Sequence, residues 1–301
     1  MRALITGING QDASYLAELL LSKGYEVHGT LRRTTNKNLD NIKKLKLNIH
    51  WATLENYGSL YKVIQKVKPQ QVYHLAAQSF VTNSFEDEFS TMSTNINGTH
   101  YILSAVKEIV PKCRFYFAGS SEMFGNQPSP QNEFTPMTPV SPYGISKLTG
   151  YHLCNYYRDT FKMFICTGIM FNHESPRRGI EFVTRKICEA AKRKEQVYLG
   201  NLDAKRDWGY AKDYVKAMWW MLHTNTPRDF VIATGQTHTV REFAELAYKQ
   251  VGLDYKKYVI INSEFYRPNE LHELRGDSSQ AKIFGWRPET SFEQLIEIMM
   301  K

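Results

Sequence analysis

The first half of the chain alternates short apolar runs with longer stretches in which apolar side chains recur every three or four positions. Short runs of this kind predict strands, and the recurring spacing predicts helices. The predicted strands cover residues 4–6, 25–31, 49–52, 72–75, 115–118 and 164–170. Predicted helices lie between them, including one that follows residue 10 and ends at Gly24, one over 87–109 and one over 143–160. This alternation implies right-handed crossovers and a parallel sheet with helices on both faces.

After about residue 180 the pattern changes to shorter, mixed segments with polar loops at 201–208 and 263–277. A chain of 301 residues is also long for one compact domain. We therefore predict an α/β protein, with a Rossmann-like doubly wound parallel sheet and a smaller mixed α/β substrate-binding lobe. Residues 1–179 are expected to form the Rossmann domain with the catalytic residues. Residues 180–301 are expected to form mainly the lobe, with about 211–235 returning to the first domain.

Apolar residues make up 42% of the chain and charged residues 23%, which is enough apolar material for a core and excludes a disordered chain. No run of about 18 uncharged apolar residues occurs, and the N-terminus lacks a basic segment followed by an apolar one. We therefore expect a cytoplasmic protein without a membrane partner. The four cysteines are scattered, which fits reduced thiols and argues against a metal site or a disulfide framework.

The chain carries 38 Lys and Arg against 30 Asp and Glu, a net charge of +8. Its two short basic clusters, at 43–46 and 192–194, have no interleaved aromatic residues and no nucleic-acid motif. We interpret them as solvated helix faces and expect no nucleic-acid partner. An excess of this size also suits an enzyme that binds several phosphates, so charge alone does not decide the ligand.

A turn with two glycines follows the first predicted strand and opens the first predicted helix. Residues 7–13 read GINGQDA, with small residues at Gly7, Gly10 and Ala13. Small residues let the backbone approach a pyrophosphate, which then binds the amides and the partial positive charge of the helix N-terminus. The spacing and its position predict a dinucleotide site.

The end of the second predicted strand indicates which dinucleotide binds. An NAD site places Asp or Glu there, to accept hydrogen bonds from the ribose hydroxyls. Here the strand is followed by Arg32, Arg33, Thr34 and Thr35, with no carboxylate. Two guanidinium groups and two hydroxyls suit a 2′-phosphate, and we infer NADP as the cofactor.

Tyr143 and Lys147 stand four residues apart, on one face of a predicted helix. A nearby ammonium group stabilises a phenolate and lowers the pKa of a tyrosine from its usual value of about 10. Tyr143 is therefore a candidate base for a sugar hydroxyl. Pro142 begins this helix, and upstream of it the fifth predicted strand is followed by Ser120, at the edge where parallel sheets bind ligands.

With these motifs the chain resembles the extended short-chain dehydrogenases and, within them, the GDP-mannose 4,6-dehydratases. The resemblance covers nearly the whole chain, and its most specific segments are FNHESPRRG at 171–179 and FVTRK at 182–186. Other matching segments are GINGQD at 7–12, RR at 32–33, LAAQS at 75–79, SSE at 120–122, RDWG at 206–209, KDYV at 212–215, 229–235 and YRP at 266–268.

The resemblance implies a lyase that converts GDP-mannose to GDP-4-keto-6-deoxymannose and water, through transient hydride transfer to tightly bound NADP⁺. Tyr143 would remove the proton of the sugar 4-hydroxyl with Ser120 bridging, and Lys147 would hold the nicotinamide ribose. Glu122 would take the C5 proton and help water to leave C6. A simple epimerase or reductase has no need of that carboxylate.

The resemblance also implies which residues bind the ligands. The expected cofactor contacts are Gly7, Asn9, Gly10, Gln11, Asp12, Arg32, Arg33, Thr34, Thr53, Leu54, Leu75, Ala77, Gln78, Tyr143, Lys147, His173 and Arg178. The expected GDP-sugar contacts are Ser79, Asn172, Lys186, Arg206 and Arg267, with the arginines as bidentate phosphate ligands. Family members form homodimers through the helices at 87–109 and 143–160 and often tetramers through the loop after Arg33, so a homodimer or homotetramer is expected.

Several positions depart from the family pattern. Ser120 replaces a Thr, Thr53 replaces an Asp that contacts adenine, and Ser90 replaces a Tyr. The region at 253–264 is shorter than usual, and loops of this lobe shape sugar choice. A related GDP-sugar such as GDP-manno-heptose is therefore an alternative substrate. A GDP-sugar 4-epimerase or 4-reductase, and a dinucleotide-binding regulator without turnover, are further alternatives.

Overall fold

The computed structural model describes residues 1–33, 39–266 and 269–301. The strands in these residues are β1 Arg2–Thr6, β2 Glu26–Leu31, β3 Asn48–Trp51, β4 Gln71–His74, β5 Arg114–Ser120, β6 Ile165–Met170, β7 His173–Glu174, β8 Val197–Leu199, β9 Lys205–Arg206, β10 Gly209–Tyr210, β11 Phe230–Ile232, β12 His238–Thr239, β13 Val259–Ile261 and β14 Glu273–Leu274.

Seven of the strands found in the described residues form one sheet, in the order β11–β6–β5–β4–β1–β2–β3. Every neighbouring pair in it is parallel. The predicted parallel sheet is confirmed, and its first six strands begin and end within two residues of their predicted positions. Because the strands are parallel, the loops that follow their carboxyl ends meet along one edge of the sheet.

Helices cover both faces of this sheet. The helices are α1 Gln11–Ser22, α2 Tyr57–Val67, α3 Asn83–Glu86, α4 Glu88–Met92, α5 Gly98–Ile109, α6 Pro142–Phe161, α7 Val183–Arg193, α8 Ala211–Met221, α9 Val240–Gln250, α10 Ser279–Ile283 and α11 Phe292–Met300. Helices α1 and α8 pack on one face, and α2, α5 and α6 pack on the other.

Successive side chains of a strand point to opposite faces, so a central strand such as β1 or β5 contributes to two cores. Ile5 and Tyr116 are buried with α1 and α8, whereas Leu4 and Phe115 are buried with α2, α5 and α6. Full burial of one large apolar side chain stabilises a fold by about 1.5–3 kcal/mol relative to its exposure. The strands that carry the site residues are therefore fixed from both sides.

The predicted helix over 87–109 is interrupted. Helix α4 ends at Met92, and Ser93–Asn97 forms a π-helical stretch before α5 begins. A π-helical turn holds an extra residue and often occurs at functional sites. Here it places the side chain of Asn95 inside the protein, with only 3% of the residue exposed.

The smaller lobe has its own core, built from α7, α9, α11 and the paired strands β8 and β13. Its chain is interrupted, because residues 211–232 place α8 on one face of the large sheet and β11 at the edge of that sheet. Strand β7 pairs with β10, and β9 pairs with β12 and β14. These short pairings connect the lobe to the loops at the edge of the large sheet.

Three further findings concern the described residues alone. None of their helices combines the length and the apolar character needed to cross a membrane. They contain no group of three or more His, Cys, Asp or Glu side chains that could hold a metal ion. Cys113, Cys154, Cys166 and Cys188 are free and buried.

Candidate active site

A cleft of about 960 Å³ lies between the edge of the large sheet and the lobe. Residues at the carboxyl ends of the first six strands line one side of it: Gly7, Arg32, Leu54, Leu75, Ser120 and Phe171. Residues of the lobe, among them Lys186 and Arg206, line the other side. The volume is at the upper end of the range for ligand pockets, which suits two ligands of nucleotide size.

The glycine turn after β1 is built for close approach of a ligand to the backbone. Gly7 has a φ of +68°, and a Cβ atom at this position would lie 3.1 Å from Ala76. Gly10 precedes the first residue of α1 and has no side chain to cap the helix. The N-terminus of α1 therefore faces the cleft as an anion site of the kind that binds a pyrophosphate.

Gln78, in the loop after β4, carries an acceptor that the protein leaves unsatisfied. Its Oε1 is buried and has no hydrogen-bond partner in the part of the chain that the structure describes. Its Nε2 donates to the carbonyl oxygen of Phe80 at 3.2 Å. A buried acceptor without a partner is costly, so Gln78 suits a ligand hydroxyl such as that of a ribose. The backbone amides at the start of α1 and the acceptor of Gln78 together fit a dinucleotide.

Asp12 and His173 connect the first turn of α1 to β7. The Nε2 atom of His173 lies 2.7 Å from a carboxylate oxygen of Asp12, and its Nδ1 lies 2.7 Å from the carbonyl oxygen of Phe171. Burial raises the pKa of Asp12, but the charge and hydrogen bond of His173 outweigh it and the net shift is downward. Burial lowers the pKa of His173, and Asp12 reverses this to a net rise. The pair is therefore an ion pair beside the pyrophosphate site.

Ser120 ends β5, and Tyr143 lies in the first turn of α6. Ser141 caps this helix by accepting a hydrogen bond from the backbone N–H of Gly144, and Pro142 follows it at the first helical position, where its missing N–H costs nothing. Burial raises the pKa of Tyr143 to about 12, although a hydrogen bond with Ser120 opposes the rise. The backbone N–H of Glu122 donates to the Ser120 hydroxyl at 3.2 Å. The end of β5 and the first turn of α6 thus bring Ser120, Glu122 and Tyr143 to one side of the cleft.

Lys147 lies one helical turn after Tyr143 and is buried with it. Its Nζ donates to the carbonyl oxygen of Ala118 at 2.8 Å and lies 5.8 Å from the centre of the Tyr143 ring. Burial lowers the pKa of Lys147 to about 8. A lysine whose pKa is lowered towards neutral pH, beside a buried phenol, is typical of acid/base sites rather than of surface ion pairs.

Asn95 holds helix α6 against the loop after β4, and the sequence analysis did not identify it. Its Nδ2 donates to the carbonyl oxygen of Gln78 at 3.0 Å and to the hydroxyl of Ser146 at 2.9 Å. Its Oδ1 accepts from the backbone N–H of Gln78 at 2.9 Å. Ser146 stands between Tyr143 and Lys147, so Asn95 fixes the position of both relative to Gln78.

Arg178 approaches Tyr143 from the segment after β7. Its guanidinium lies 3.5 Å from the centre of the Phe182 ring, and its Nε lies 3.1 Å from a carboxylate oxygen of Glu174. The same carboxylate oxygen of Glu174 accepts a hydrogen bond from the hydroxyl of Thr184 at 2.6 Å. The positive charge of Arg178 is one of the effects that oppose the rise in the pKa of Tyr143.

The lobe supplies two cations to the cleft. Arg206 is buried and donates to the carbonyl oxygen of Leu271 at 2.7 Å, and its Nη2 lies 3.0 Å from a carboxylate oxygen of Glu270. Lys186 donates to the carbonyl oxygen of Tyr198 at 2.8 Å and lies 4.0 Å from the centre of the Phe265 ring. Burial lowers the pKa of Lys186. Both cations are held in place by the protein before any ligand binds.

Most of the predicted site residues line this one cleft. They are Gly7, Asn9, Gly10, Gln11, Asp12, Arg32, Leu54, Leu75, Ala77, Gln78, Ser79, Ser120, Glu122, Tyr143, Lys147, Asn172, His173, Arg178, Lys186 and Arg206. Two predicted contacts do not line it: Arg33 lies 5.9 Å from the centre of the Trp51 ring, and the Thr53 hydroxyl donates to Glu55. Thr34 and Arg267 lie outside the described residues. Among the lining residues that the sequence prediction missed are Glu55 and Thr94.

Comparison with known proteins adds independent evidence. Residues 4–299 match a family model described as GDP-mannose 4,6 dehydratase. The chain is 46% identical to GDP-mannose 4,6 dehydratase 2 of Arabidopsis thaliana, over 99% of this chain and 85% of that protein. It is 43% identical to the human GDP-mannose 4,6 dehydratase, over 99% of this chain and 90% of that protein.

Solved structures show the same fold at lower identity. The UDP-glucose 4-epimerase of Thermus thermophilus, in complex with NAD, has a TM-score of 0.91 and 24% identity, over 100% of this chain and 98% of that one. DesIV, a dTDP-glucose 4,6-dehydratase of Streptomyces venezuelae with NAD and TYD bound, has a TM-score of 0.91 and 22% identity, over 99% and 96%. At this identity the likeness concerns the fold alone.

Proposed function

Because the chain belongs to the GDP-mannose 4,6-dehydratase family, we propose that it converts GDP-mannose to GDP-4-keto-6-deoxymannose and water with NADP as its resident cofactor. The observation that carries the proposal is the convergence of Ser120, Glu122, Tyr143 and Lys147 on one cleft. A hydroxyl, a carboxylate, a phenol and an ammonium group there supply the proton transfers that this elimination needs.

In this proposal the cofactor supplies one function when it is bound: it accepts the hydride from C4 of the sugar and returns it to C6. Tyr143 takes the proton of the 4-hydroxyl, with the Ser120 hydroxyl as the connecting group. The positive charge of Lys147, 5.8 Å from the centre of the Tyr143 ring, stabilises the resulting phenolate. The hydrogen bond of Ser120 and the charge of Arg178 oppose the burial that raises the pKa of Tyr143. Buried groups act strongly here because the low local dielectric amplifies their interactions.

Glu122 distinguishes a dehydratase from an epimerase in this proposal. Once C4 is a ketone, the hydrogen at C5 is acidic, and a carboxylate beside it can remove that proton. The same group then donates the proton to the hydroxyl that leaves C6 as water. Glu122 is 9% exposed and is the middle residue of the short helical turn Ser121–Met123 after β5, and it lines the same cleft as Tyr143.

The preference for NADP over NAD rests on the end of β2. Arg32 lines the cleft directly after Leu31, and the residues described there include no carboxylate to bind the ribose hydroxyls of NAD. A guanidinium group suits a 2′-phosphate. Asn172, Lys186, Arg206 and Ser79 are the proposed contacts of the GDP-sugar, since they line the cleft and the two cations suit its phosphates.

We also propose that the enzyme is a cytoplasmic homodimer or homotetramer. Phe89 is 82% exposed, and Ile145, Tyr156 and Phe161 are exposed on α6, which gives the α4 to α6 side an apolar outer surface. An exposed apolar surface of this kind marks an interaction site. The free, buried cysteines support a reducing compartment.

The test uses GDP-mannose that carries deuterium at C4. We expect a product lighter by one water, with the deuterium in the new C6 methyl group, as read by mass spectrometry and NMR. Deuterium that is lost to solvent or stays at C4 would contradict an internal hydride transfer. GDP-manno-heptose in a parallel reaction tests the alternative substrate, and turnover of the heptose alone would transfer the assignment to that sugar.

A further inference from the structure

The inference concerns the end of the cleft that is farthest from the catalytic residues. Ser120 lies at the end of β5, whereas Ala52, Leu54 and Glu55 follow β3 at the opposite edge of the sheet. Four strand spacings separate β5 from β3, about 19 Å. The glycine turn after β1 lies between these two ends. A dinucleotide with its pyrophosphate on that turn and one ring at Tyr143 therefore places its other ring near β3.

Glu55 stands at this far end with both carboxylate oxygens held by the protein. Oε1 accepts a hydrogen bond from the hydroxyl of Thr94 at 2.8 Å, and Oε2 accepts one from the hydroxyl of Thr53. Thr53 belongs to the loop after β3, and Thr94 belongs to the π-helical stretch. Glu55 is nevertheless an exposed residue and lines the cleft together with Thr94.

The surroundings of Glu55 suit a planar base. Ala52, Leu54 and Leu60 line the same end of the cleft and are buried apolar side chains. A carboxylate oxygen has two acceptor positions, so each oxygen that accepts from a threonine can accept once more. The site therefore combines an apolar wall with an oriented, charged acceptor. A ring that carries an amino group satisfies both.

On this basis we propose that Glu55, oriented by Thr53 and Thr94, accepts a hydrogen bond from the exocyclic amine of the cofactor's adenine. The inference rests on the proposed function for the presence of a dinucleotide. Adenine presents an amino donor at C6, whereas hypoxanthine presents a carbonyl oxygen there. A carboxylate attracts the first and repels the second, and a site built around a donor rejects an analogue that lacks it.

The experiment compares two nucleotides that differ only in this group. NADP⁺ and its hypoxanthine analogue are titrated by calorimetry into the wild type, Glu55→Gln and Glu245→Gln, each freed of copurified nucleotide. Glu245 is an exposed glutamate on α9 and serves as the matched control. We expect the wild type and the control to bind NADP⁺ on the order of tenfold more tightly than the analogue. In Glu55→Gln this ratio falls to roughly threefold or less, because an amide can turn its NH₂ towards the carbonyl.

The ratio separates recognition from structural support. If Glu55 only connects two segments of the protein, Glu55→Gln weakens the binding of both nucleotides equally. The ratio of their affinities then stays at its wild-type value, and this result overturns the inference. Equal binding of the two nucleotides by the wild type also overturns it, while the proposed function stands. A wild type that binds neither nucleotide contradicts the proposed cofactor instead.

Discussion

Asp12 and His173 form an ion pair at 2.7 Å across 161 residues of sequence. It joins the helix that carries the pyrophosphate site to the segment that leads to Arg178. Burial opposes the charge on each partner, yet the pKa of Asp12 is lowered and the pKa of His173 is raised, each because of the other. The position of the first turn of α1 and the position of the segment that carries Arg178 are thereby coupled.

This pair predicts a pH-dependent contribution to stability. The contribution of His173, whose pKa is raised, is complete below its ordinary value of 6.5 and is lost as pH rises through the raised value. The contribution of Asp12 is present above its ordinary value of 3.8 and is lost as pH falls through its lowered value. Urea unfolding should show His173→Asn less stable by about 1–2 kcal/mol at weakly acid pH, with a smaller difference at alkaline pH. A difference that grows with pH would contradict the pair.

Tyr143→Phe should lower kcat by about 100- to 10,000-fold, because it removes the group that takes the 4-hydroxyl proton. NADP⁺ affinity should change little, since the phenol is not the main anchor of the dinucleotide. Tyr258→Phe, at a position that packs against the core of the smaller lobe and does not line the cleft, is the control and should leave kcat unchanged. Wild-type kcat in Tyr143→Phe would remove Tyr143 from the acid/base role.

Glu122→Gln should bind both ligands and still oxidise C4, but it should not exchange the C5 hydrogen with solvent. The measurement is deuterium uptake at C5 in heavy water, with the absorbance of reduced nicotinamide followed in a single turnover. We expect reduced cofactor to accumulate because the elimination is blocked. Uptake at the wild-type rate would show that another group removes the C5 proton.

Arg32→Ala should weaken NADP⁺ binding by about tenfold or more while leaving NAD⁺ binding nearly unchanged, because only NADP⁺ carries the phosphate that pairs with the guanidinium. Calorimetric titration of both nucleotides measures this directly. Arg193→Ala removes an exposed arginine from the lobe and controls for net charge. Equal losses for the two nucleotides would argue against a 2′-phosphate contact.

Asn95→Ala should lower the free energy of unfolding by about 2–3 kcal/mol, because it leaves both backbone groups of Gln78 without their buried partner. It should also lower kcat more than it raises KM, since it acts on the helix that holds Tyr143. Asn97→Ala, in the same π-helical stretch but exposed, is the control. A variant with wild-type stability and kcat would show that the helix is positioned by other contacts.

The parts of the fold that follow a regular period were predictable. Strands β2 and β4 lie within one residue of their predicted positions, because a buried strand leaves a clear apolar run in the sequence. The two-residue strands β7, β9 and β10 were not predicted, since two residues carry no period. The interruption at Ser93–Asn97 was missed because a π-helical stretch changes the spacing of the side chains by only one residue.

Some residues of the candidate site belong to local sequence patterns, and others act only through partners that are remote in sequence. The turn at Gly7 and the spacing of Tyr143 and Lys147 are local patterns, so the sequence alone indicates them. Glu55 and Asn95 act through partners that are remote in sequence, Thr94 for one and Ser146 for the other. No local pattern marks such residues, and only the packed chain reveals them.

Strand β11 has a consequence for how this protein is made. It covers the outer edge of β6, the strand that leads to His173, and it comes from residues 230–232. While a ribosome is still adding the residues before it, the growing sheet presents an unpaired edge, the kind of surface that invites association with other nascent chains. Completion of the large sheet must therefore wait for a late portion of translation. A chain break anywhere between β6 and β11 would leave the sheet incomplete in one fragment and its last strand in the other.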